Sequence, residues 1–322
     1  MAHILVAGKL HRDALALLSE AEGVSFDYVE EVSEEAYTPF LRHADALLLR
    51  TQPLQADAIA GAGSLKIVSR HGVGFDAVDV AALNARGIVL AVVGDVNSVS
   101  VAEHTMALLL AASKRLLRAD RAVRAQGQWH WRNRLEPRDL AGKSLLLIGY
   151  GRIGQRVARM AAAFGMEVAA HDPWRAGQGW PEDAVARPAP DLAEALARAE
   201  AVSVHVPFTG RPVLGAAELA LLRPGAIVIN TARGGVVDEQ ALADALASGR
   251  IGAAGLDVFG EEPPAPDHPL MRFDQVILTP HMAGLTEECA RRMGLQSVRN
   301  ILDFLAGNLD PAFIVNREAL HV

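Results

Sequence analysis

Arg233, Glu262 and His281 are the residues of this chain whose types and placement suit chemistry. Each follows closely on a predicted strand: Arg233 after residues 226–230, Glu262 after 252–257, His281 after 275–279. If those strands lie parallel in one sheet, all three side chains leave the same edge. A histidine exchanges a proton near neutral pH. A neighbouring glutamate fixes the ring and stabilises its protonated form. An arginine grips a carboxylate and a carbonyl oxygen with its planar fork. Each has a plain alternative: a buried structural histidine, a solvated loop acid such as the adjacent Glu261, an arginine paired with a helix end. Their convergence on one edge favours proton transfer to a small carboxylated substrate.

The same edge carries a second signal. The apolar strand Leu145–Ile148 runs into Gly149-Tyr150-Gly151-Arg152-Ile153-Gly154, a G-x-G-x-x-G turn, and a helical pattern follows over Gln155–Phe164. A second strand, Met166–Ala170, ends at Asp172, about 18 positions past the last glycine, close to the spacing of a dinucleotide-binding βαβ unit. Gly149 permits the tight turn, Gly151 the approach of a pyrophosphate, and Gly154 the packing of helix on strand. Arg152 and Ile153 open the helix, whose N-terminus favours negative charge. Asp172 is placed to accept the adenosine ribose hydroxyls and to repel a 2′-phosphate, so NAD is expected rather than NADP. Arg175, a residue type that can bind a 2′-phosphate, is read as a loop residue near the adenine. With a nicotinamide carrying hydride, the protein must supply a proton, hold a carboxylate and polarise a carbonyl. Arg233, Glu262 and His281 match that demand for a 2-oxo acid.

The elements that must position these residues alternate strand and helix throughout. In the first hundred residues, strands are predicted at Ile4–Ala7, Ser25–Val29, Ala46–Leu49, Ile67–Ser69 and Ile88–Val92, with helices such as Arg12–Glu20 and Val80–Ala85 between them. A parallel sheet covered on both faces follows. Gly94–Asn97 reads as a crossing between domains, and Ser100 with Glu103 as a capping box opening one long helix to about Ala125. A second sheet is built from 144–148, 166–170, 201–206, 226–230, 252–257 and 275–279. A helix from Thr286 to about Ala306 returns the chain to the first domain. The expected organisation is therefore a flavodoxin-like α/β substrate-binding domain, 1–97 with 285–322, and a doubly wound Rossmann NAD-binding domain, 98–284. The loop Gln128–Arg132, with Trp129 and Trp131, is either an interface or a cover for the site.

Composition agrees with this organisation. The 322 residues are 51% hydrophobic and 5% aromatic, and the formal net charge is −7 without a block of like charges. That argues against a nucleic-acid partner. The single cysteine, Cys289, rules out an internal disulfide and a cysteine-based metal cluster, and no metal is expected. The N-terminus begins a strand at once without a secretory signal, and no apolar run approaches a membrane span. A cytoplasmic enzyme with no membrane partner is the expectation.

The chain resembles the D-isomer-specific 2-hydroxyacid dehydrogenases, in the branch near phosphoglycerate dehydrogenase and hydroxypyruvate reductase. The resemblance runs almost end to end. It is carried by Ser69-Arg70-His71-Gly72-Val73-Gly74-Phe75-Asp76, Ser100-Val101-Ala102-Glu103-His104-Thr105, the glycine turn, His205-Val206-Pro207, Asn230-Thr231-Ala232-Arg233-Gly234-Gly235, Leu256-Asp257-Val258-Phe259 with Glu261-Glu262-Pro263, and Thr279-Pro280-His281. It implies Arg233 as the substrate-orienting residue, Glu262 as the acid paired with histidine, and His281 as proton donor or acceptor. It also implies that Val73 and Gly74 present backbone N–H groups to the substrate carboxylate. Val206, Thr231 and Asp257 would line the nicotinamide half of the cofactor site, and Arg233, His281 and Gly284 would also contact the cofactor. Arg50 and Arg70 match substrate-facing positions of the first domain, where they either receive a doubly anionic substrate or brace the loop. A homodimer is implied through the long helix and the Trp129 loop. Phe208 stands where the family often has leucine. Serine control through a C-terminal regulatory domain, as in long phosphoglycerate dehydrogenases, is not expected. Two other readings share the scaffold: an NAD-sensing corepressor-like binding protein, and a phosphonate or formate dehydrogenase. Glu262 counts against formate, for which the resemblance calls for glutamine.

Overall fold

The computed structural model describes residues 1–321. The chain forms two compact units, Met1–Asn97 with Leu285–Val322 and Ser98–Gly284. In the first unit the elements are β1 (Ala2–Ala7), α1 (Arg12–Glu20), β2 (Val24–Val29), α2 (Glu34–Leu41), β3 (Ala46–Leu49), α3 (Ala56–Gly61), β4 (Ile67–Arg70), α4 (Val80–Ala85) and β5 (Val89–Ala91). In the second they are α5 (Ser98–Ser113), α6 (Leu116–Arg124), β6 (Ser144–Ile148), α7 (Arg152–Ala163), β7 (Glu167–His171), α8 (Pro173–Gln178), β8 (Arg187–Pro188), α9 (Leu192–Arg198), β9 (Ala201–Val204), α10 (Ala216–Leu221), β10 (Ala226–Asn230), α11 (Glu239–Ala247), β11 (Ile251–Leu256) and β12 (Val276–Leu278). The chain then re-enters the first unit as α12 (Glu287–Leu305) and α13 (Arg317–Leu320).

The first sheet has the order β2-β1-β3-β4-β5 with every pairing parallel. That is the flavodoxin-like 2-1-3-4-5 order. Strand β3 is Ala-Leu-Leu-Leu, buried at every position, as a strand covered on both faces must be. On one face Tyr37, Leu41, Ile59 and Leu83 pack on the sheet. On the other, Val298 and Ile301 of α12 join Ile4, Val6 and Leu48. Helix α12 is pinned further by Ser69 Oγ donating to the Ser297 carbonyl at 2.9 Å and Asn300 Nδ2 donating to the Val92 carbonyl at 3.0 Å. The far end of the sequence thus completes a core begun by the first hundred residues. Cys289 is buried there.

The second sheet has the order β12-β11-β10-β9-β6-β7-β8, again all parallel. Counted within the unit this is the doubly wound 3-2-1-4-5-6 order with a seventh strand. The order reverses between β6 and β9, the place where such sheets bind ligands. Parallel pairing puts the carboxyl ends of β6, β7, β9, β10, β11 and β12 on one edge.

Two expectations need correction. Ser100 does not cap a helix: α5 begins at Ser98, whose Oγ accepts from Arg156 Nε at 2.9 Å, and Ser100 lies inside, 4% exposed. The helix also does not run unbroken to Ala125. Arg138 N–H donates to the Ser113 carbonyl at 2.9 Å, and Arg115 turns left-handed with φ 53° before α6 starts. The two-residue strand β8 was not expected. Trp129–Arg134 forms a short 3₁₀ turn. No described helix is long and apolar enough to cross a membrane.

Candidate active site

Strand β10 ends in Asn230, which is buried and shapes the loop after it. Its Oδ1 accepts from Ala232 N–H at 3.0 Å and its Nδ2 donates to the Arg233 carbonyl at 2.9 Å. Arg233 Nη1 donates to the Ala232 carbonyl at 2.7 Å. The next residue must be glycine, because a Cβ at Gly234 would stand 1.7 Å from the Phe259 carbonyl oxygen. The Arg233 loop therefore lies directly on the loop that follows β11.

That second loop begins with Asp257, fully buried, and carries Glu262. Glu262 Oε1 accepts from Phe259 N–H at 3.0 Å, and Oε2 meets His281 Nδ1 at 2.7 Å. Glu239 at the start of α11 holds the same loop, accepting from Gly260 N–H at 2.7 Å and pairing with His268 at 2.8 Å. His281 has φ 49°, a left-handed conformation that costs a non-glycine residue about 1–2 kcal/mol. Its N–H compensates by donating to the Asp257 and Thr279 carbonyls, at 2.8 and 3.0 Å.

The electrostatics follow from this geometry. The Glu262 hydrogen bond, with burial opposing and the charges of Glu262 and Asp257 helping, raises the His281 imidazole above its ordinary value. Partial burial acts to raise the Glu262 carboxyl, but the His281 and Phe259 hydrogen bonds, with the charges of His281 and Arg233, bring it below its ordinary value. The guanidinium of Arg233 is thus felt by both partners. Nδ1 is committed to Glu262, which leaves Nε2 as the nitrogen for proton exchange.

The glycine turn occupies the end of β6. Gly149 has φ 98° and Gly154 is buried against it, where a Cβ would stand 2.4 Å from the Gly149 carbonyl oxygen. Gly151 caps α7 without a side chain and has open space where its Cβ would point, and Arg152 is exposed beside it. Uncapped N–H groups at a helix start, with room above them, fit a pyrophosphate. Ile153 faces the core. At the tip of β7, Asp172 caps α8: Oδ1 accepts from Arg175 N–H at 2.9 Å and Oδ2 from Tyr150 N–H at 2.7 Å. Each carboxylate oxygen keeps a further lone pair, so a half-exposed Asp172 can still take ribose hydroxyls. Val206 follows β9, and Gly284 follows Ala283 on the His281 loop. The residues present therefore fit a nicotinamide dinucleotide.

Four candidate residues belong to the other unit. Arg50 follows β3 and Arg70 ends β4, strands that pair side by side. Arg70 Nη1 donates to the Leu49 carbonyl at 3.3 Å. Val73 packs with Val93, Cys289 and Met293, and Gly74 follows it. Among the described residues no cluster of three or more His, Cys, Asp and Glu side chains is placed to hold a metal ion.

The sequence reading passed over Asn230, Glu239, His268 and His104 as parts of this site. Asn230 and His104 stand in the motifs quoted above. Glu239 and His268 had no separate signal, because their role depends on loops that meet only in the fold.

Residues 106–283 match the family described as D-isomer specific 2-hydroxyacid dehydrogenase, NAD binding domain. The chain is 39% identical over 312 residues to D-3-phosphoglycerate dehydrogenase of Methanocaldococcus jannaschii, an alignment covering 96% of this chain and 58% of that one. It is 37% identical over 328 residues to glyoxylate reductase of Aeropyrum pernix, covering 99% and 97%. The chain thus spans little more than half the length of the phosphoglycerate dehydrogenases it matches. Among solved structures, the TT0316 protein of Thermus thermophilus superposes with a TM-score of 0.88 at 33% identity, covering 97% of this chain and 99% of the other. The family match over residues 106–283 and the end-to-end likeness to glyoxylate reductase place the chain in the D-isomer specific 2-hydroxyacid dehydrogenase family.

Proposed function

We propose that the chain is an NAD-dependent reductase of 2-oxo acids, reversible as a D-2-hydroxyacid dehydrogenase. The observation that carries this reading is the 2.7 Å contact between His281 Nδ1 and Glu262 Oε2, on the sheet edge that also holds the glycine turn. When bound, the nicotinamide supplies or takes the hydride at substrate C2. His281 gives the proton from Nε2 to the carbonyl oxygen in reduction and takes it back in oxidation. Glu262 keeps the imidazolium charged and oriented. Arg233 holds the substrate carboxylate and polarises the carbonyl. Gly149, Gly151, Arg152, Ile153 and Gly154 receive the pyrophosphate; Asp172 takes the ribose hydroxyls and disfavours a 2′-phosphate. Val206, Thr231, Asp257 and Gly284 complete the nicotinamide half.

Residues 1–97 with 285–322 bind substrate in this account. Val73 and Gly74 present N–H groups to its carboxylate, and Arg50 and Arg70 meet a second negative charge. The protein works in the cytoplasm as a homodimer, without nucleic-acid or membrane partners. Support for the dimer comes from one exposed apolar stretch: Leu116, Leu117, Val123, Trp129 and Leu135 are 56%, 48%, 65%, 66% and 84% exposed. Large apolar side chains left exposed along one stretch of chain are what an association face would cover.

The test is NADH oxidation with glyoxylate, hydroxypyruvate and 3-phosphohydroxypyruvate, repeated on Arg50→Ala and Arg70→Ala. Turnover of at least one 2-oxo acid is expected, with the variants losing the doubly charged substrate most. Silence across the panel would favour a binding role for the coenzyme.

A further inference from the structure

His104 lies in the middle of α5, yet it reaches the loop of His281. Its Nε2 is 3.0 Å from Thr279 Oγ1 and 3.5 Å from Asp257 Oδ1. The Thr279 hydroxyl donates its one proton to Asp257 Oδ1 at 2.5 Å. Thr279 Oγ1 must then accept from His104, which fixes the tautomer with hydrogen on Nε2. The Asp257 carboxylate in turn accepts the N–H groups of Met282 at 2.9 Å and Ala283 at 2.8 Å. A hydrogen-bonded chain therefore links α5, through Thr279 and the accepting Asp257 carboxylate, to the two backbone amides that follow His281.

The neighbouring residue serves the other loop. Thr105 donates to the Val101 carbonyl at 2.8 Å, so its oxygen accepts from Thr231 Oγ1, also at 2.8 Å. Thr231 opens the Arg233 loop. One turn of α5 thus holds both loops that carry the proposed chemistry. His281 needs that support, since its left-handed backbone stays in place only where surrounding bonds over-determine it.

We propose that His104 is a positioning residue: through Thr279 and Asp257 it fixes the 281–283 backbone so that the His281 imidazole stays on Glu262. The kinetic part of this inference rests on the reaction proposed above; the structural part does not. Three charged groups act on His281, namely Glu262 and Asp257, which favour its protonated form, and Arg233, which opposes it. Removing the His104 donor loosens the loop and weakens the Glu262 contact, so the imidazole should protonate at lower pH.

The experiment compares wild type, His104→Ala and His104→Gln, since a glutamine amide can still donate to Thr279. Long-range ¹H–¹⁵N spectra of the histidine rings, with His281→Asn to assign the signal, follow the titration of His281 without any turnover. In His104→Ala the His281 midpoint is expected to fall by about 0.5 pH unit, and His104→Gln to restore most of it. With NADH and glyoxylate or hydroxypyruvate, kcat of His104→Ala should fall about tenfold while the Kd for NADH, from its fluorescence, stays within about twofold. An unmoved His281 titration in His104→Ala, or a glutamine variant as impaired as the alanine one, overturns the proposal. Absence of turnover in the wild type would count against the proposed reaction alone, and the spectra would still decide the role of His104.

Discussion

Replacing Glu262 by glutamine tests the pairing on which proton transfer depends. The two carboxylate oxygens of Glu262 accept from different donors, Phe259 N–H at 3.0 Å and His281 Nδ1 at 2.7 Å. Glutamine offers one acceptor oxygen, so its amide nitrogen must face one of those donors. The charge is lost as well. The side chains of His281 and Glu262 are 52% and 36% exposed, so water screens the pair. Exposed ion pairs are worth about 0.2–1 kcal/mol, which corresponds to a fall of about 0.1–0.7 pH unit in the His281 midpoint. The sign follows from the direction of the wild-type shift, which is upward. Reduction needs the imidazolium: its rate is fully present below the midpoint and lost as pH rises through it. In Glu262→Gln that loss should begin at lower pH, and the rise of the oxidation rate should move the same way. Loss of ring orientation should also lower the plateau by about 10- to 100-fold. The assay is kcat/KM for NADH-dependent reduction from about pH 5 to 9. An alkaline limb that stays in place, or moves upward, would show that Glu262 does not set the protonation of the catalytic group.

Asp172→Asn keeps a helix-capping side chain on α8 but removes the charge, so the ratio of kcat/KM with NADPH to that with NADH should rise about tenfold or more. An unchanged ratio would remove Asp172 from cofactor discrimination. Gly234→Ala forces a methyl against the Phe259 backbone and should cost about 1–3 kcal/mol or more, seen as a lower Tm together with lost turnover. Gly61→Ala, where a Cβ meets nothing within 4 Å, is the control expected to leave both nearly unchanged. Val123→Lys together with Leu117→Lys should shift the sedimenting species from dimer to monomer; a wild-type chain that sediments as a monomer would sink the proposed association face.

The legibility of this chain in sequence followed how local each signal was. The β6 turn, the β7 strand and Asp172 were readable because glycine spacing, apolar runs and an acid fall within about 30 residues. Helix α12 falls where the sequence places a helix, from Thr286 to about Ala306, and the structure shows Thr286 capping it by accepting from Cys289 N–H. Helix α5 was misread because it is buried on nearly every side, so its apolar pattern marks neither a face nor a start. Its break at Arg115 carries no glycine or proline; there Arg138, distant in sequence, donates to the Ser113 carbonyl. Strand β8 is too short to show an alternation. The roles of His104 and Glu239 were invisible for the same reason as the break: each acts on a loop far along the chain. Three of the residues proposed for catalysis could be named from their places after strands, but the shelf that holds them could be seen only once α5 was laid beside Thr231 and Thr279.

The most direct test of the central claim is the turnover of His281→Asn with NADH and whichever 2-oxo acid the wild type reduces best, set beside the Kd for NADH measured by fluorescence. A general acid/base is worth about 10²–10⁴ in rate, so kcat should fall by about that factor while NADH affinity stays within about threefold. Turnover close to wild type, or a loss explained entirely by weaker NADH binding, would contradict the assignment of proton transfer to His281.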